Sequence, residues 1–210
     1  KKNKNQHFSS SEEIREFFED GIKILDYFKK NKSKYFSKKG WFLVGCEVPI
    51  SITPNNAYKN VIYNGFLDVV MYHEPTDTFQ IIDIKTSTKG WNSYAKKDEE
   101  KQFQLILYKK FFAEQFGLVE ESIDIEFLIV RRKVYDGGEY PQKRIQTFSP
   151  ASGRNKLNKA TKILNEFINE AFDYNGYKET FHIPQPSKWN CHFCAFKEND
   201  ELCNVLGKNS

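Results

Sequence analysis

Gly65-Phe66-Leu67-Asp68, followed by Ile81-Ile82-Asp83-Ile84-Lys85-Thr86-Ser87, places two acidic residues and a lysine on two strand-like runs. Side chains alternate along a strand, so Asp83 and Lys85 project from the same face of the second run. Between the runs, Glu74-Pro75-Thr76-Asp77 reads as a hairpin turn, which brings Asp68 near Asp83 and Lys85. Two carboxylates suit a hard divalent cation such as Mg²⁺ or Mn²⁺. An adjacent ammonium suits a reaction that builds negative charge, as phosphodiester cleavage does. Alternating Asp and Lys also decorate solvated strand faces. Here, however, the pair is interleaved with Ile81, Ile82 and Ile84, in a run apolar enough for a central strand. Charge in such a place costs free energy unless it is paired or bound to metal. Downstream, Gln104-Leu105-Ile106-Leu107-Tyr108 lies in a helical pattern that sets Gln104 and Tyr108 on one face.

Taken together, Gly65…Asp68, Asp83-Ile84-Lys85-Thr86-Ser87 and Gln104-x-x-x-Tyr108 resemble the PD-(D/E)XK nuclease superfamily. Within it they resemble the RecB-like branch, which includes nuclease domains of recombination helicase–nucleases, Cas4 proteins and many phage exonucleases. The resemblance implies a three-layer, restriction-endonuclease-like α/β fold. It also implies a divalent-metal-dependent DNA nuclease, an exonuclease of DNA processing, recombination or phage DNA metabolism, acting on single strands or duplex ends. Asp68 and Asp83 would bind the metal, with the main-chain carbonyl of Ile84 as a further ligand. Lys85 would orient the attacking water and stabilise charge on the phosphate. Gln104 and Tyr108 would organise the site and contact DNA. Glu47, in Gly45-Cys46-Glu47-Val48-Pro49, aligns with an acidic residue of the preceding strand in this branch; read as a residue, it is equally an edge-strand glutamate near a proline. There is one departure. Many members carry a metal-binding histidine on a helix ahead of the first strand, and the expected helix 11–30 has none. His7 precedes that helix, so the ligand is upstream of Lys1, absent, or replaced by Glu47. His73 and His182 match no motif and read as structural or exposed. A non-catalytic nucleic-acid-binding or assembly module on the same fold is the alternative function.

Around this centre, Thr86 and Ser87 are candidate phosphate or main-chain hydrogen-bonders at the strand end. Trp91 and Tyr94 either stack on unpaired bases or pack within their loop. Lys96, Lys97 and Lys101 either form a basic groove or coat a solvated helix face. At the C-terminus, Cys191, Cys194 and Cys203 form C-x2-C-x8-C. The spacing admits zinc or an iron–sulfur cluster, and some RecB-like nucleases hold a [4Fe–4S] cluster with such a tail. Cys46 is a poor fourth ligand, because alternation turns it away from the face that Glu47 uses. His192 or His182 could complete a zinc site, and packing without metal is the third reading.

A net charge of +4 permits nucleic-acid binding without requiring it. Abundant Lys, Asn, Ile, Phe and Tyr reflect compositional bias before function. No apolar run approaches a membrane span, and the cysteine placement suits a reducing, cytoplasmic compartment of a bacterium or phage-infected host rather than a disulfide framework. No Gly-x-x-x-x-Gly-Lys-[Ser/Thr] loop is present, so a helicase or recombination partner would be a separate chain. The chain opens on Lys rather than Met, as expected if it starts inside a longer protein. The pattern predicts a helix over 11–30, a basic connector over 29–39, and strands over 41–52, 61–72 and 78–86. A helix follows over 97–116, then strands over 123–134 and 143–148 after an Asp136-Gly137-Gly138 turn, then a helix over 153–174. The order α-β-β-β-α-β-β-α suits one domain over 1–210 with a mixed sheet between helices and a loop-rich, cysteine-containing end at 180–210.

Overall fold

Ser10 starts the first helix. Its Oγ accepts from the Glu13 N–H at 3.1 Å, and the Glu13 carboxylate accepts from the Ser10 N–H at 2.9 Å, so two otherwise orphaned donors are satisfied reciprocally. In the computed structural model, α1 spans Ser11–Tyr35, longer than the sequence pattern suggests. Residues 29–35 stay helical across a local break at Asn31, whose side-chain amide donates to the Tyr27 carbonyl at 2.8 Å. Tertiary packing accounts for the extension: the Tyr27 and Tyr35 hydroxyls meet at 3.0 Å, and Phe28, Tyr35 and Phe36 form an aromatic cluster against the sheet. The described residues are 9–36, 38–56, 58–135, 137, 139–140, 142–173, 175–177, 186–192, 194–197, 199 and 203.

The strands are β1 (Trp41–Ile52), β2 (Tyr63–His73), β3 (Thr78–Ser87), β4 (Ile123–Arg131) and β5 (Ile145–Phe148), and they lie side by side in that order. All neighbours are antiparallel except β3 and β4, which are parallel. The β2–β3 turn is a single 3-10 turn over Glu74–Thr76, with Asp77 in the left-handed region at φ 50°. The parallel pair requires a crossover, supplied by α2 (Ser93–Lys97) and α3 (Glu99–Phe116). The sequence pattern expects a loop and then a helix over 97–116; α3 matches that helix from Glu99, and α2 occupies residues expected to be loop. Asp98 separates the two: its ψ of 104° leaves the helix, and its carboxylate caps α3 by accepting from the Glu100 N–H at 3.2 Å. Gly117, at φ 65°, ends α3 in a conformation glycine adopts without strain. α4 covers Arg154–Ala171, and the residues expected to continue it instead form a small hairpin of β6 (Phe172–Asp173) and β7 (Gly176–Tyr177). β4 and β5 are shorter than expected, and Asp136 and Gly138 of the expected turn lie outside the described residues. A short α5 (Lys188–His192) follows in the segment expected to be loop.

The sheet is covered on both faces, which makes the expected three layers. On one face Ile81, Phe127 and Ile129 pack with Leu105, Phe111 and Phe112 of α3 and with Leu157 and Ala160 of α4. On the other, Val69, Met71, Ile82, Leu128 and Val130 meet Ile24, Tyr27 and Phe28 of α1. Each fully buried side chain of this size contributes about 1.5–3 kcal/mol. Among the described residues no helix is long and apolar enough to cross a membrane.

α1 is held by charge as well as by packing. Asp20 is 3% exposed and interrupts the helix's apolar stripe. It receives Arg132 Nη1 at 3.2 Å and Lys133 Nζ at 3.0 Å, and Glu16 lies 2.5 Å from Lys133 Nζ. Burial works to raise the Asp20 carboxyl, but the hydrogen bond and charge of Lys133 and the charge of Arg132 prevail and hold it below the usual 3.8. The group is covered by the side chains that pair with it rather than by deep core, so water remains close. Asp20→Ala should therefore cost about 1–3 kcal/mol in denaturant unfolding rather than the larger loss of a deep ion pair. Because the folded-state pKa is depressed, this contribution is complete above the unfolded value and disappears as pH falls through the folded one. The gap between wild type and Asp20→Ala should close in acid, below about pH 4.

Candidate active site

The β2–β3 ladder runs from His73↔Thr78 to Val69↔Ile82 and stops there. β3 continues alongside β4 through Ile84↔Leu128 and Lys85↔Ile129, so at Asp68 and Asp83 it has a neighbour on one side only. An N–H left by the parting strands needs a partner. Asp68 supplies it, its Oδ2 accepting from the Ile84 N–H at 2.6 Å. One oxygen of Asp68 is thereby fixed beside β3.

Asp83 is 3% exposed and shares the α3 side of β3 with Lys85. Lys85 Nζ donates to Asp83 Oδ1 at 3.2 Å and to Gln104 Oε1 at 3.1 Å, and Gln104 Nε2 donates to Tyr108 Oη at 3.0 Å. Gln104 and Tyr108, one turn apart on α3, thus form a relay that ends on the lysine. Asp83 Oδ2 also lies 2.9 Å from Nζ, an ionic contact without hydrogen-bond geometry. Burial pushes the Asp83 carboxyl above 3.8, Lys85 opposes that by hydrogen bond and charge, and the nearby charge of Asp68 adds to the rise. Two neighbouring carboxylates, one of them buried, are a donor set that suits a Mg²⁺ or Mn²⁺ ion. Mg²⁺ commonly takes one or two carboxylates and completes its shell with water and substrate phosphate.

Gly65 makes room on β2 for the Tyr108 side chain of α3. A Cβ there would lie 2.8 Å from Cε1 of the Tyr108 ring, which is itself buried. Only the absence of a side chain at Gly65 lets that ring sit where its hydroxyl receives Gln104.

The other expected site residues divide. Glu47 is exposed, with a left-handed φ of 51°, level with Asp68 between the pairs Cys46↔Val69 and Val48↔Leu67. Among the described residues no three His, Cys, Asp or Glu side chains converge as a metal cage, so Glu47 does not join the Asp pair in one. His73 is structural, stacked on Trp41 at 4.7 Å and bonded to Thr76 Oγ1 at 2.7 Å. Ser87 Oγ closes the following loop against Gly90, whereas Thr86 is exposed. Trp91 is half-buried and packs 5.0 Å from the Phe127 ring, its main-chain N–H and C=O both held by Gln146. Tyr94 is 83% exposed. Lys101 is paired with Asp98 and Lys96 lies over the Phe148 ring, which leaves Lys97 the exposed member of that trio without such a contact. Cys191 is buried, Cys194 exposed and Cys203 half-buried, all as free thiols. They do not gather into a metal-ligating group among the described residues, so the expected iron–sulfur or zinc site is not assembled here. His7 and His182 lie outside the described residues. The sequence reading missed the Asp20–Arg132–Lys133 cluster, whose only signal was a charge inside an apolar helical stripe.

No curated protein sequence matches the chain. The crystal structure of SSO0001 is 14% identical with a TM-score of 0.47, the match covering 90% of this chain and 70% of that one. A "Putative exonuclease" from Eubacterium rectale is 12% identical with a TM-score of 0.44, covering 73% of this chain and 52% of that one. The family model described as the PD-(D/E)XK nuclease superfamily matches residues 13–199, which include most of α1, every strand of the main sheet and the whole acidic site. The chain belongs to the PD-(D/E)XK nuclease superfamily.

Proposed function

We propose that the chain is a divalent-metal-dependent deoxyribonuclease that hydrolyses phosphodiester bonds at strand ends. The observation that carries this reading is the buried Asp83 carboxylate, ion-paired with Lys85 and influenced by the nearby charge of Asp68. Asp68 and Asp83 would hold the ion, with the Ile84 carbonyl as the further ligand that the family resemblance implies. A bound Mg²⁺ or Mn²⁺ supplies a water of lowered pKa and neutralises charge developing on the phosphate. Lys85 keeps its ammonium at the same place, where it orients the attacking water and stabilises the phosphoryl oxygens. Hydrolysis adds that water across the P–O bond and leaves a phosphomonoester and an alcohol. Gln104 holds Lys85, Tyr108 holds Gln104, and Gly65 makes room for Tyr108; these three are positioning residues. DNA as the polymer and exonucleolytic action rest on the RecB-like motif set, and Lys97 and Tyr94 are the exposed candidates for touching the strand.

Asp83→Asn removes a buried charge while keeping its shape. The metal-free variant should melt no lower than wild type, yet lose both the thermal shift that Mn²⁺ induces and cleavage of a labelled DNA. A variant that kept either would remove Asp83 from the site. Lys85→Ala should lower cleavage by at least about a hundredfold while the Mn²⁺ shift persists, since the lysine is not a ligand.

The raised Asp83 pKa has a definite sign. In the metal-free protein Asp83 keeps its proton to a higher pH than an ordinary aspartate, and the ion must displace it. Mn²⁺ affinity, followed by calorimetry, should therefore fall with acidification from a pH above 3.8, and proton release should accompany binding. Pairing this with the relay, Gly65→Ala should lower kcat far more than it changes KM, because it moves Tyr108 and through it Lys85. Tyr108→Phe, which spares the ring and removes the acceptor, should lose about tenfold in kcat, the value of one hydrogen bond. Equal kcat in both variants and wild type would show the relay to be idle.

A further inference from the structure

α1 presents more apolar surface than the sheet takes up. Ile24, Tyr27 and Phe28 reach the core on that side, yet of the 25 residues of α1 only Asp20 is buried. A cavity of about 370 Å³ stays open between Gly21 and the ends of β3 and β4. Beside the docked face lies a second apolar stripe. Ile14, Phe18, Ile22 and Leu25 are 45–68% exposed, and none of them belongs to the packing on either side of the sheet. At the helical repeat they point within about 80° of one another over about three turns. A lone exposed apolar residue is ordinary, but four large ones along one helix face mark a surface that another molecule covers.

The charges around the stripe say which molecule. Glu12 and Glu13 stand in the first turn, Lys29 and Lys30 lie beyond the stripe's other end, and Arg15 and Asp26 border it on the side away from the sheet. Acid before the stripe, lysine after it and one charge of each sign along it form a pattern that complements itself when turned end for end. A nucleic acid or an anionic membrane would select cations without the acids. A parallel copy would set acid on acid and lysine on lysine. An antiparallel copy sets Glu12 and Glu13 near Lys29 and Lys30, and Arg15 near Asp26. It also lays Phe18 against Ile22 and Ile14 against Leu25, each pair occurring twice about a two-fold axis near Asp20.

We propose that this stripe is the interface of a two-fold symmetric dimer in which the α1 helices of two copies of the chain lie antiparallel. The proposal is independent of the nuclease reading. α1 covers the sheet face opposite α3, so the dimer leaves the Asp83 and Lys85 side of both copies open.

The test is sedimentation equilibrium of the full chain over a concentration series, under reducing conditions because the Cys46 and Cys194 thiols are exposed. Wild type should approach twice the chain mass. Phe18→Glu should raise the dissociation constant at least about thirtyfold, the loss of one interface hot spot, with an unchanged circular dichroism spectrum. Arg15→Asp and Asp26→Arg should each weaken the dimer, and an equimolar mixture of the two should restore it, because residues 15 and 26 then meet opposite charges at both ends. Arg15 and Asp26 are exposed, so these variants carry the test if Phe18→Glu folds poorly. A wild type that stays monomeric throughout would overturn the proposal and give the stripe to a different segment of the chain or a different protein. A dimer that survives Phe18→Glu and disperses with Phe42→Glu would overturn it too, moving the interface to the edge strand β1, where Phe42 is 53% exposed. A mixture that associates no more tightly than either charge variant alone would end the antiparallel pairing, and the proposal with it.

Discussion

Burying Asp83 is the constraint around which the rest is arranged. A carboxylate with 3% of its surface exposed costs several kcal/mol unless its charge is met. Lys85 meets part of it and leaves one oxygen without a directed donor. The lysine cannot wander, because Gln104 holds its ammonium; Gln104 is held in turn by Tyr108, and Tyr108 fits only because residue 65 is glycine. Three short motifs far apart in the chain are thus one mechanical unit. Each would be an unremarkable polar decoration without the others.

The parting of β2 from β3 makes that unit possible. A regular ladder through Asp68 and Asp83 would consume the Ile84 N–H and leave no gap. Because pairing ends at Val69↔Ile82, Asp68 turns inward to satisfy Ile84 and a second carboxylate arrives beside the first. β3 stays in place through its parallel partner β4, so the site combines a rigid strand with an opened edge.

The two faces of the sheet serve different ends. α3 and α4 bury a continuous apolar core and give the catalytic face its stiffness. α1 has Asp20 as its one buried residue and attaches through aromatic side chains and a compact ion-pair cluster. Such an element covers without sealing, which is why a cavity persists beneath Gly21.

Much was legible in the sequence because it depended on local rules. Strand alternation placed Asp83 with Lys85, the helical repeat placed Gln104 with Tyr108, and Glu74-Pro75-Thr76-Asp77 marked the turn that joins β2 to β3. The boundaries that shifted did so where distant contacts outweighed local preference. Aromatic docking prolonged α1 beyond 30, a short helix formed ahead of the Asp98 cap where a loop was expected, and a small hairpin ended α4 early. Packing was one of two readings of Trp91 in sequence, but its partners Phe127 and Gln146 carry no local signature of that contact. By itself, then, the sequence determined which residues share a face and which carry the charges. Only the tertiary structure decided that β2 and β3 separate at Asp68 and that Gly65 admits the Tyr108 ring. The physical reason is that periodicity fixes direction along one element, whereas distance between elements is set by packing, and packing is a property of the whole chain.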